Sequence, residues 1–340
     1  MHSSQSSEFS IADAGSGAVG GISVVIPAYQ AQNVLRRAID SVLRQTLPPQ
    51  EIIIVDDGST DGTRQIVEEY GPRLRYLHQE NQGASTARNT GVLAASCEWI
   101  AFLDADDEWL PERLSRQVRL LEESPELNWV TGNFYRCLCR RGHRQTPDMT
   151  SRQKQKALDF LNGKPIFDSY FTAHRYNAMG CTDTMLIRRR LLLEAGLFLP
   201  GQKRINDVDL WLRIAYRDVP IGYVFEPLAV YHLDVEGSIL KAHRQREHID
   251  GFLQRHFELA EQAGMLEKFR PCAAAMLGWW LGQRMEDGDG RQIRFLLKKY
   301  RSLFSPSSWR QLYLMSFCPR TAALYNRLQK YLKDFLEKDA

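Results

Sequence analysis

Between residues 22 and 103 the apolar positions form two kinds of run that alternate. Residues 22–28 (ISVVIPA) and 51–55 (EIIIV) are continuous and β-branched, the pattern of strands buried on both faces. Residues 34–43 instead repeat at helical spacing, with Val34, Leu35, Ala38, Ile39, Val42 and Leu43 on one face. The second strand runs into a turn at 56–62 that is rich in helix-capping residues, and a helix continues over 65–70. A short third strand at 74–77, a turn at Asn81-Gln82-Gly83, a helix at 84–94 and a fourth strand at 99–103 complete the series. Strand and helix alternating with short loops predict an α/β fold with a mostly parallel central sheet and right-handed crossovers.

The second half is less regular. Residues 129–139 read as a strand, 140–156 as a basic, turn-rich, mobile loop, and 159–178 as a mixed segment dense in aromatic residues. That segment suits either an acceptor pocket or core packing. A strand at 181–187, a helix at 188–195 stopped by Gly196, an amphipathic helix at 206–216 and a strand at 221–231 follow. Beyond Lys241, segments 241–263, 271–286, 291–303, 306–317 and 321–337 all read as helices. The organisation expected is a flexible Ser/Gly-rich leader (1–20), a central domain (21–240) with halves 21–125 and 126–240, and a helical region (241–340).

Composition narrows the classes. At 44% hydrophobic and 25% charged, the 340 residues are those of an ordinary globular protein, and a net charge of +3 points to no nucleic-acid partner. Six scattered cysteines with no CxxC pair read as free thiols rather than metal ligands, which favours a reducing, cytoplasmic compartment. No apolar stretch approaches the roughly 20 residues of a membrane span. The last fifty residues hold eleven Lys or Arg against three acids, interleaved with Trp309, Tyr313, Phe317 and Tyr325. This fits either a solvated bundle packed on the central domain or a peripheral contact with the inner face of a membrane.

Candidate chemistry lies at the strand ends, the edge where open α/β sheets bind ligands. The fourth strand stops in Asp104, Asp106 and Asp107. Residues two apart in extended chain point the same way, so Asp104 and Asp106 can converge on Mg²⁺ or Mn²⁺ shared with a phosphate; an Asp-rich turn capping the next helix is the plainer reading. Tyr29 can stack on a base, Asp57 can accept from a base imide N–H, and Arg88 can reach a base or a phosphate. No Gly-rich loop follows the first strand, where the chain reads Ala28-Tyr29-Gln30-Ala31; this speaks against a sugar nucleotidyltransferase. Asn206, Asp207 and Asp209 open the 206–216 helix, where acids also cap and complement the dipole.

Four strings in order carry a resemblance: IPAY (26–29), VDDGSTDGT (55–63), NQGASTARNTG (81–91) and FLDADDEWLPERL (102–114). Together they resemble the family-2 glycosyltransferases over roughly residues 20 to 235. The resemblance implies a Rossmann-like glycosyltransferase-A fold and inverting transfer of a sugar from a nucleotide-diphosphate donor, UDP by default, to a glycan or lipid-linked acceptor in polysaccharide or lipopolysaccharide synthesis. It implies nucleotide contacts at Pro27, Ala28, Tyr29, Asp57, Arg88, Asp104 and Ala105. The metal, Mn²⁺ or Mg²⁺, would lie on Asp106, with Asp104 and His232 as further ligands; His232 equally fits a phosphate contact or a structural role. Asp207 matches the general base of an acceptor-side motif usually written Glu-Asp-x-Asp-Leu-Trp, from which this chain departs at Asn206. A non-catalytic nucleotide-sugar binding protein is the alternative outside enzymes.

Overall fold

The structure is a computed structural model that describes residues 20–138, 144–202, 204–233 and 249–321. Ten strands form one sheet: β1 (Ile22–Ala28), β2 (Glu51–Asp56), β3 (Arg75–His78), β4 (Trp99–Phe102), β5 (Glu108–Trp109), β6 (Trp129–Leu138), β7 (Arg144–Pro147), β8 (Ile166–Phe167), β9 (Leu186–Arg188) and β10 (Ile221–His232). The order is β3-β2-β1-β4-β9-β6-β10-β5, with β7 beside β6 and β8 beside β10. β1 to β4 are parallel, and β6 and β10 are parallel to each other. The antiparallel β9 joins the two blocks through β4 and β6, so all six of these strands run the same way. The reversed strands β5, β7, β8 and β9 are two to four residues long.

The unbroken apolar runs have a two-faced meaning. Val25, Ile53, Val55, Ile100 and Phe102 point into one core; Val24, Ile26, Ile52, Ile54, Ala101 and Leu103 point into another. Side chains alternate across a strand, so a sheet covered on both sides needs apolar residues at every position. Helices α1 (Leu35–Leu43), α2 (Thr63–Glu68) and α4 (Arg113–Glu123) supply one cover. The other comes from α3 (Ala84–Ala94), α6 (Tyr170–Arg175), α7 (Arg189–Glu194) and α8 (Asn206–Ala215). Helix α3 lies close against β1 because Gly91 has no side chain; a Cβ there would come within 2.3 Å of the Val25 side chain.

Two sequence expectations change in the second half of the central domain. The expected mobile loop at 140–156 instead contains β7, paired with β6, and the start of α5 (Ser151–Phe160). Thr150 and Gln153 form a capping box at its N-terminus, but Ala157 is its one buried residue, so it lacks the apolar stripe by which helices are read. The expected strand at 181–187 is a 3₁₀ turn, Thr182–Thr184, before β9. Residues 139–143 and 234–248 and the helix expected at 321–337 fall largely outside the described residues.

C-terminally, α9 (Ile249–Gln262), α10 (Leu266–Asp287), α11 (Gly290–Lys299) and α12 (Pro306–Met315) extend the α3/α8 side of the core. Phe269 packs edge-on against Phe171 and Tyr216. No helix among the described residues is long and apolar enough to cross a membrane.

Candidate functional site

The parallel block ends in a rim of loops that its own acids hold together. Asp57, 3% exposed, accepts hydrogen bonds from Gln79 Nε2 (2.6 Å) and from the backbone N–H groups of Gln82 (2.9 Å) and Gly83 (2.7 Å). It thereby fixes the turn that starts α3, where Gly83 sits at φ +88°. Asp56 accepts from Ser59 N and from the Tyr76 hydroxyl, and burial together with Asp56 drives the Tyr76 pKa upward. Asp61 accepts from Thr63 and Gln32, which outweigh its burial and hold its carboxyl below the ordinary range. Pro27 and Ala28 are buried at the end of β1, while Tyr29 just past them is 55% exposed.

Where β4 ends the acids crowd one another. Oxygens of Asp104, Asp107 and Asp183 lie within 4.8 Å of each other. Asp183 accepts the Asp104 backbone N–H at 2.8 Å, and Asp107 Oδ1 accepts the His232 backbone N–H at 2.7 Å. Asp107 Oδ2 is buried with no hydrogen-bond partner. Burial, then the Asp104 charge, pushes Asp183 up to about 7 and Asp106 up to about 6. Burial and its acidic neighbours likewise push Asp107 upward. Arg113, fully buried below them, donates to the carbonyls of Asp183 and Met185; burial lowers its pKa to about 9.

Arg88 on α3 connects the two sides. Its guanidinium pairs with Asp104 at 2.5 Å and lies 5.4 Å from the Phe198 ring centroid. Burial opposes its charge, but Asp104, Asp207 and Asp183 offset this and raise its pKa. Asp207 stands in the first turn of α8, where its carboxylate accepts from the Thr182 hydroxyl (3.2 Å) and the Val208 N–H (2.8 Å). Thr182 precedes Asp183, which holds the Asp104 backbone, so two side chains link Asp207 to the acidic cluster. Ile205, just before α8, has φ +48°; a β-branched residue there is strained by about 1–2 kcal/mol.

The sequence profile described as glycosyl transferase family 2 matches residues 23–196. The chain belongs to glycosyl transferase family 2. Within the family it is 32% identical over 222 residues to the putative teichuronic acid biosynthesis glycosyltransferase TuaG of Bacillus subtilis, covering 64% of this chain and 81% of TuaG. An uncharacterized glycosyltransferase of Rickettsia prowazekii is 32% identical over 195 residues, or 56% of this chain and 58% of that protein. The chain therefore spans little more than half of some curated relatives. The crystal structure of S. aureus TarS 1–349 in complex with UDP-GlcNAc matches with a TM-score of 0.59 at 17% identity, covering 91% of this chain and 92% of that one. The fold is thus the glycosyltransferase-A fold expected from the four strings.

The sequence-derived residues separate into groups. Asp104, Arg88 and Asp207 come together. Asp106, beside them, feels the charges of Asp104, Arg37 and His232. The close acidic group is not the expected set of Asp106, Asp104 and His232 but Asp104 with Asp107 and Asp183. His232 is 5% exposed, with Nε2 3.2 Å from Glu108 Oε1. Asp107, expected to cap a helix, is buried in the cluster, because the chain turns inward after Ala105 and pairs β5 with β10. The Asp57 carboxylate already has three N–H donors, and Ala105 lies half-buried between the two exposed-side acids.

Ser85, Asn89, Thr182 and Asp183, to which the sequence assigns no role, also build the site, together with Asn206 and Asp209. Asn206 Nδ2 donates to Ser85 Oγ at 2.8 Å, tying α8 to α3. Asn89 exchanges hydrogen bonds with the backbone of Phe198 at 2.8 and 2.9 Å. Ser85, one turn before Arg88, and Asn89, directly after it, lie in the NQGASTARNTG string, which is a usable signal. Thr182 and Asp183 lie in a stretch that reads as a strand, where nothing marked them. Asp209, two residues past Asp207, is fully buried and accepts from Arg213, Arg255 and His256, joining α8 to α9.

Proposed function

We propose that this chain is an inverting glycosyltransferase, acting in the cytoplasm on a UDP-sugar and on an acceptor hydroxyl of a growing or lipid-linked cell-surface polysaccharide. The observation that carries the reading is Arg88, which pairs with Asp104 and is held charged by Asp207 as well. An acid from the end of β4 and an acid from the start of α8 thus both act on one guanidinium, which supports a donor side and an acceptor side that adjoin. The TuaG name supports the polysaccharide setting, and the UDP-GlcNAc in TarS supports the donor class.

In this reading the nucleoside lies on the rim formed by Pro27, Ala28, Tyr29 and the turn that Asp57 fixes, with the exposed Tyr29 ring free to stack on the base. Arg88 faces the diphosphate with its fork of donors. The crowded carboxylates fit a hard divalent cation: Asp107 keeps a buried oxygen without a donor, and the acids raise one another's pKa. Mn²⁺ or Mg²⁺ would be held by Asp106 and Asp104, with Asp107, Asp183 and His232 behind them, and when bound would neutralise charge on the leaving diphosphate. The acceptor oxygen bonds to the anomeric carbon as the bond to the diphosphate breaks, and Asp207 takes the hydroxyl proton. Attack from the side opposite the leaving group inverts the centre. A carboxylate is a weak base, so it accepts late, once bond formation has made the hydroxyl acidic.

The test is a turnover screen of nucleotide-sugars with Mn²⁺, following nucleotide release with and without a polysaccharide acceptor. Release from one UDP-sugar, stimulated by acceptor and abolished by chelator, is expected. Donor binding with no release under any acceptor would favour the binding-protein alternative.

A further inference from the structure

Residues 290–321 hold seven basic side chains (Arg291, Arg294, Lys298, Lys299, Arg301, Arg310 and Arg320) and not one acid. Elsewhere in the chain acids outnumber bases, so the positive charge is concentrated in this segment. Its exposed surface is also apolar. Phe295 on α11 is 55% exposed, Leu314 on α12 is 70% exposed, and Phe317 just past it is 60% exposed.

Helix geometry sets the two kinds of residue on shared stripes. On α11 the core takes Ile293, Leu296 and Leu297, while Arg291, Phe295, Lys298 and Lys299 follow at i, i+4, i+7 and i+8 on the outer face. On α12, Arg310 and Leu314 are exposed at i and i+4, and the exposed Phe317 follows in the turn just beyond the helix. The two helices meet where Arg294 donates to the Ser316 carbonyl at 2.9 Å and covers the Phe317 ring at 4.7 Å. Arg291, Lys298 and Arg310 form no ion pair with a described residue. Cations with aromatic and aliphatic residues interspersed, on short helices that do not span, are the composition of helices lying in a lipid headgroup layer.

We propose that the outer face of α11 and α12 docks on an anionic lipid bilayer, the cations meeting headgroup phosphates and Phe295, Leu314 and Phe317 entering the acyl boundary. Charge complementarity selects an anionic surface, and exposed rings beside the cations select a bilayer over a soluble polyanion, which offers them nothing to enter. The proposal does not depend on the sugar-transfer reading, since binding is measured with neither donor nor acceptor present.

The experiment is co-sedimentation of the full chain with phosphatidylcholine vesicles, with and without phosphatidylglycerol. Binding is expected on the anionic vesicles alone, falling as salt is raised. The variant Arg291→Glu/Lys298→Glu/Arg310→Glu should bind at least tenfold more weakly, since each cation near an anionic surface is worth about fivefold. The variant Phe295→Ser/Leu314→Ser/Phe317→Ser should weaken binding at least fivefold with every charge retained. Wild-type protein alone suffices should a variant fail to fold: no sedimentation with anionic vesicles, equal sedimentation with neutral ones, or full competition by duplex RNA would overturn the proposal. Unchanged binding by a folded apolar variant would also overturn it.

Discussion

The loops after β2 and after β4 are both rich in aspartate, yet the two sets live under opposite conditions. On the rim of the parallel block, Asp56, Asp57 and Asp61 each accept two or three hydrogen bonds from N–H or hydroxyl groups. On the other side Asp107 and Asp183 are buried and Asp106 is half-buried beside them, among carboxylates, and their pKa values rise. The first set is construction: a charge fully satisfied by the loops it holds. The second is a concentration of negative charge that the fold tolerates at a cost, and such uncompensated sites are where ligand binding is expected to supply what the protein does not.

Substitutions should therefore act differently on the two sides. Asp106→Asn should lower turnover by roughly 10²–10⁴, measured with Mn²⁺ and the donor found by screening, while the melting temperature at pH 8 holds or rises. Asp57→Ala should do the reverse in emphasis. It strands three donors and should cost about 2–4 kcal/mol by denaturant titration, with activity failing only as the α3 turn loosens.

Asp183→Asn keeps an oxygen for the Asp104 N–H and removes one charge. The Asp183 carboxyl is raised to about 7 from an unfolded value of about 4, so its favourable contribution is present below pH 4 and is lost as pH rises through 7. The variant should gain about 1–3 kcal/mol at pH 8 and nothing at pH 4 in metal-free thermal melts. A loss at pH 8 would show that the crowding is not a cost. The smallest effect belongs to Ile205→Gly, which relieves the left-handed backbone but frees the unfolded chain. Stability should move by under about 1 kcal/mol, and turnover should fall several-fold as the start of α8 loosens.

The same contrast explains what could be read from the sequence. The parallel block declares itself because doubly buried strands are unbroken apolar runs and each ends in a motif string. Helix α5 was missed because it buries a single alanine, and β7 because it is four residues of polar edge. Asp104 and Arg88 were legible because they lie in the strings, and Asp207 because it lies in a motif of its own at a helix start. Asp183 could not be read, since its importance comes from a 3₁₀ turn that brings it across 79 positions to the Asp104 backbone. His232 is adjacent to the cluster through its backbone N–H to Asp107, a contact with no periodicity to announce it.

The central claim is that Asp207 serves the acceptor across a cleft whose opposite side binds the donor. Calorimetric titration of Asp207→Asn with the UDP-sugar and Mn²⁺, paired with its turnover, tests this directly. Donor affinity within about threefold of wild type with turnover down by roughly 10²–10⁴ is the predicted result. Turnover near wild type, or donor binding lost along with turnover, would contradict it.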